Sequence, residues 1–68
     1  MTTPEVREQR YSPNLLGKTG TTRYGERVIV SGPAMDPARA QVHLLTEDGP
    51  IPGSTFSPRL YDIRFDNN

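Results

Sequence analysis

Arginine and tyrosine are the residues in this chain best suited to chemistry, and that chemistry is binding. Arg10-Tyr11 and Arg23-Tyr24 place a planar cation beside an aromatic ring, and Arg59 precedes Tyr61 by two positions. Such pairs can stack on bases, neutralise phosphates, or grip the carboxylates of a protein partner. Seven of the eight basic residues are arginine and only Lys18 is lysine. That lysine lies in Gly17-Lys18-Thr19, which imitates the end of a phosphate-cradling loop. Such a loop needs a glycine five residues before Gly17, and that position is Ser12. It also needs a strand before and a helix after, which Pro13 and Gly20 oppose. His43 is the sole histidine and there is no cysteine, so a nitrogen or sulfur metal site has no second ligand. Glu47 and Asp48 read as solvated turn acids. Neither a metal nor a cofactor is expected.

The run Lys18-Thr19-Gly20 also resembles the carboxylate-holding box of penicillin-binding proteins and serine β-lactamases. Those enzymes require a serine three residues before a lysine. Three residues before Lys18 stands Leu15, and the enzyme fold needs a chain several times longer than 68 residues. Serine, histidine and aspartate are present, but a domain of this size rarely encloses a catalytic pocket. The expectation is a protein that is not an enzyme.

The elements that must position the arginines and tyrosines divide the chain in two. Residues 1–22 read as a flexible N-terminal arm. Thr2 and Glu5 could open a short helix with Pro4 inside it, but Pro13 ends it within a few turns, and so short a helix does not stand alone. Leu15 and Leu16 are a potential anchor of the arm onto the body. Arms with scattered arginine, tyrosine and leucine often order on a partner. Tyr11, Leu15 and Leu16 would fill a groove while Arg7 and Arg10 touch its rim.

Residues 23–66 read as a small β domain. Val28-Ile29-Val30 is a strand signal, stopped by Gly32-Pro33. Asp36-Pro37 opens one helical turn. Ala40, Val42 and Leu44 alternate with Gln41 and His43, which is strand periodicity over about 40–46. A turn follows at Glu47-Asp48-Gly49-Pro50, then a short edge segment at Thr55-Phe56-Ser57. A last strand spans Leu60–Phe65, with Tyr61, Ile63 and Phe65 on one face. The expected core is Val28, Val30, Val42, Leu44, Ile51, Phe56, Tyr61, Ile63 and Phe65. An apolar fraction of 32% is low for a globular chain, so that core is small.

The order Tyr24-Gly25-Glu26-Arg27-Val28-Ile29-Val30, then Ala40-Gln41-Val42-His43-Leu44-Leu45, then Leu60-Tyr61-Asp62-Ile63 resembles small SH3-like barrels of the KOW or Tudor type. The resemblance covers about residues 23–65. It implies a mainly β fold, a small SH3-like barrel or a curled antiparallel meander, and a ligand that is RNA, a polymerase, a ribosome or a peptide tail. The insertion Pro33–Arg39 and the proline-rich 50–58 loop depart from the family's tight hairpins.

Eight acidic residues balance the eight basic ones, and zero net charge counts against non-specific nucleic-acid binding. No apolar run approaches a membrane span and the N-terminus lacks a leader's basic and apolar regions. The expectation is a cytoplasmic binding module, an adaptor or inhibitor of a protein target, of a size that fits a phage-encoded protein. The alternatives are a nucleic-acid-associated barrel with Arg23, Tyr24, Arg27 and Arg59 as its surface, and an assembly subunit that pairs with copies of itself. The candidate partner-binding residues are Arg10, Tyr11, Leu15, Leu16, Arg23, Tyr24, Arg27 and Arg59.

Overall fold

The two central strands form where the sequence signals them, at the β-branched run Val28-Ile29-Val30 and where Ala40, Val42 and Leu44 alternate with Gln41 and His43. In the computed structural model, which describes residues 10–66, β1 is Thr19–Thr22, β2 is Arg27–Pro33, β3 is Ala40–Thr46, β4 is Gly49–Pro50 and β5 is Ile63–Phe65. Single 3-10 turns occupy Pro13–Leu15 and Leu60–Asp62. The strands form one antiparallel sheet in the order β4-β3-β2-β1-β5. The expected N-terminal helix start at Thr2–Glu5 lies outside the described residues.

β2 and β3 form the centre. Val28 and Val30 of β2, and Ala40 and Val42 of β3, point to one face and are buried. Val28 pairs with Leu44 and Val30 with Val42. The register then shifts, so that Gly32 faces Gln41 and Pro33 faces Ala40. The extra residue is a bulge, which bends the strand and increases its twist. Asp36 accepts the backbone N–H of Ala38 at 2.9 Å, closing the turn that feeds β3.

Four expectations are corrected. First, the arm does not run to residue 22. Thr19–Thr22 lies inside the sheet, paired with β2 on one edge and with β5 on the other, and Leu15 is buried at 4% exposure. Thr-Gly-Thr-Thr has no large apolar alternation to reveal a strand. It is held by pairing on both edges, and Gly20 lets β5 approach closely. A Cβ there would lie 2.7 Å from the Arg64 carbonyl oxygen and 2.8 Å from Cγ2 of Ile63.

Second, the last strand starts later than expected. Leu60–Asp62 is a 3-10 turn, whose period of three puts Leu60 and Ile63 on one side. Leu60 is therefore fully buried and Tyr61 is 55% exposed. Third, Ile51 is exposed, carried outward by the turn after β4. The core is Leu15, Val28, Val30, Ala40, Val42, Leu60 and Ile63, with Tyr11, Leu44, Phe56 and Phe65 packed against it.

Fourth, the sheet is not closed into a barrel. Phe56 bridges Val42, and Arg59 bridges Arg39, along the edge of β3 that faces away from β2. These are isolated bridges rather than a ladder, and Pro58 has no N–H to extend one. From Arg59 the chain crosses to β5 at the far edge, burying Leu60 on the way.

Candidate functional site

Thr22 shapes the tip of the β1–β2 hairpin. Its side chain is buried, and its Oγ1 accepts the backbone N–H groups of Tyr24 and Glu26, both at 3.3 Å. Its backbone N–H donates to the Glu26 carbonyl at 2.9 Å, and its carbonyl accepts from Gly25 at 2.9 Å. Gly25 takes a φ of +84°, a left-handed conformation that glycine adopts without strain. A tightly bonded four-residue turn therefore holds Arg23 and Tyr24 outward. Tyr24 is 80% exposed, and the Arg23 guanidinium sits 5.6 Å from the centre of its ring.

Across from this tip runs the strap Phe56–Arg59. Arg39 donates to the carbonyl of Ser57 at 2.8 Å and fixes the strap to the start of β3. Between hairpin and strap lies a groove of about 690 Å3. Tyr24, Leu44, Phe56 and Pro58 give it apolar surface, while Arg23, Arg39 and Arg59 oppose Glu26 and Asp62. Arg23 and Asp62 approach to 3.8 Å. A smaller recess of about 510 Å3 adjoins it, sharing Thr22, Arg23 and Asp62 and reaching Arg64.

The structure brings Arg23, Tyr24 and Arg59 together in this groove and places the other sequence candidates elsewhere. Arg27 points away from it. Its two terminal nitrogens donate to the two carboxylate oxygens of Asp66, each at 2.8 Å, and Nη1 also reaches Thr21 Oγ1 at 3.2 Å. Thr19 Oγ1 donates to the same carboxylate. The Arg27 and Thr19 hydrogen bonds hold the Asp66 carboxyl well below the usual range, and the Asp66 hydrogen bond raises Arg27 further. Arg27 is thus a tie between β2 and the end of β5.

Tyr11 is half-buried against the core and donates its backbone N–H to the Pro37 carbonyl at 2.8 Å. Leu15 is a core residue and offers no surface to a partner, whereas Leu16 is exposed. Arg10 is exposed and does not line the groove. Sequence reasoning did not count Arg39, Phe56, Pro58, Glu26 and Asp62 among the site residues. The long-range bridges of the strap to β3 place Arg39, Phe56 and Pro58 there, while Glu26 comes from the β1–β2 hairpin and Asp62 from the 3-10 turn before β5; no local pattern encodes that meeting.

His43 lies on the face opposite Val42, with Nδ1 3.2 Å from Thr55 Oγ1. Among the described residues no cluster of three metal-ligating side chains occurs, and no helix is long and apolar enough to cross a membrane. Comparison with protein-family models, curated proteins and solved structures found no match. The groove combines an exposed aromatic ring, further apolar side chains and charges of both signs.

Proposed function

We propose that this protein is a non-enzymatic binding module, an adaptor or inhibitor, that takes an extended segment of a protein partner in the groove between the β1–β2 hairpin and the strap. The observation that carries the proposal is that Tyr24, Phe56 and Pro58 line one groove together with Arg23 and Arg59. Rigid aromatic and arginine side chains are the groups that dominate protein interfaces. Apolar, aromatic-lined grooves suit extended and polyproline segments, which lose little entropy on binding. The likeness to SH3-like domains of the KOW or Tudor type is part of this reading, as an open-edged relative of that plan, and peptide tails are among that family's ligands.

A second reading, nucleic-acid binding, is favoured by one feature: Tyr24 stands exposed with a guanidinium beside its ring, as base stacking would need. Capture from the native cell lysate with the full chain as bait, with and without nuclease, separates the two. Recovery of a defined protein that survives nuclease and fails with Tyr24→Ala supports the protein-partner reading. Recovery that disappears with nuclease transfers the site to nucleic acid.

A further inference from the structure

We propose that the groove's occupant is an acidic extended peptide, with one carboxylate of the peptide paired to Arg59 and a neighbouring apolar or proline residue lying on Tyr24, Phe56 and Pro58. This rests on the reading of the groove as a protein-binding site and adds the chemistry of the occupant.

The three arginines of the groove are not equivalent. Arg23 approaches Asp62 at 3.8 Å and the Tyr24 ring at 5.6 Å. Arg39 is bonded to the Ser57 carbonyl at 2.8 Å and lies 3.9 Å from Asp36. Arg59 is exposed and makes no ion pair with any of the described residues, although its backbone is fixed by the bridge to Arg39 and by the Asp62 N–H donated to its carbonyl at 2.9 Å. A guanidinium on a fixed backbone, at the wall of a groove and without an ion-pair partner among the described residues, is a receptor for a planar anion that can accept two parallel hydrogen bonds. The apolar surface beside it comes from Pro58, one residue away, and from Phe56, so the anion must sit on a chain that also carries an apolar group.

The acids of the groove select between anionic polymers. Glu26 and Asp62 line the same space. A nucleic acid carries a phosphate on every nucleotide and would bring charge against both carboxylates. A peptide places a single carboxylate opposite Arg59 and turns its backbone N–H groups toward Glu26 and Asp62.

A library of random decapeptides displayed for selection, with the full chain as bait, tests this. Selected sequences should be enriched in aspartate or glutamate next to proline or an apolar residue. A selected peptide should bind Arg59→Ala about three- to tenfold more weakly, the effect of losing one charge-assisted contact, and should bind Arg59→Lys in between. Arg59→Glu should select basic residues at the same peptide position, a reversal that loss of structure does not produce. Tm and amide spectra of the variants should match the parent, since the side chain is exposed. Selection without a preference for acids, or with one that Arg59→Glu leaves unchanged, overturns the acidic occupant while leaving the groove as a peptide site. Failure to select any peptide, together with tight binding of decauridylate, overturns both.

Discussion

Tyr24 and Arg27 illustrate how differently two neighbouring candidates are used. Tyr24 is held outward by the Thr22-centred turn and leaves most of its ring in water. Removing it takes little from the fold, so Tyr24→Ala should shift unfolding by less than about 0.5 kcal/mol, the usual range for a surface substitution, in urea titrations, while abolishing partner capture. Thr22→Val should be costlier, because the N–H groups of Tyr24 and Glu26 lose their common acceptor. Arg27, by contrast, is spoken for by Asp66. Because Arg27 and Thr19 depress the Asp66 carboxyl in the folded state, the unfolded chain, with an ordinary value of about 3.9, binds that proton more readily. The stabilisation from this pair is therefore complete above that pH and is lost as the pH falls toward the lower folded value. Asp66→Asn should flatten the part of the stability profile below about pH 4. An NMR titration should find the Asp66 carboxyl raised toward the ordinary range in Arg27→Gln, with the Thr19 hydrogen bond still holding it below that range.

At the scale of elements, the two 3-10 turns and β1 do the work that the open sheet leaves undone. Leu15 and Leu60 each enter the core from a turn of three residues. Leu60→Ala should cost about 2–5 kcal/mol, as for a fully buried leucine, and Tyr61→Ala distinctly less. Urea midpoints of the two variants compare them directly, and the reverse ranking would restore Tyr61 to the core. Gly20→Ala should destabilise by at least about 1–3 kcal/mol, because the added methyl meets the backbone of β5 rather than a side chain free to turn. These same elements mark the limit of what the sequence makes legible. β2 and β3 announce themselves because Val28 and Val30, then Ala40, Val42 and Leu44, alternate into one core. β1 does not, since threonine and glycine carry no apolar period and the strand exists through its two neighbours. A 3-10 turn spans too few residues for any period, so Leu60–Asp62 reads as the start of the strand that follows. Of the site, Arg23, Tyr24 and Arg59 are visible as exposed arginine and tyrosine. Their meeting in one groove depends on the strap running along the edge of β3, through the Val42–Phe56 and Arg39–Arg59 bridges, and contacts so distant along the chain have no local signature.

For the molecule as a whole, the proposed reading puts its binding surface on one face, between the hairpin tip and the strap. The hairpin tip and the strap are each tied to the sheet by backbone hydrogen bonds, so the groove is preformed and a partner need not order it. Other exposed apolar side chains, Leu16 and Met35 among them, stand outside the groove and offer a control surface of the same kind. The measurement that tests the central claim most directly is nuclease-treated lysate capture by three full-length proteins: the parent, Tyr24→Ala/Arg59→Glu, and Leu16→Ala/Met35→Ala. The groove account predicts that the parent and the Leu16/Met35 variant recover the same protein and that the Tyr24/Arg59 variant, with an unchanged Tm, recovers none. Retained capture by the Tyr24/Arg59 variant, with loss in the Leu16/Met35 variant, would contradict it and move the binding surface away from the groove.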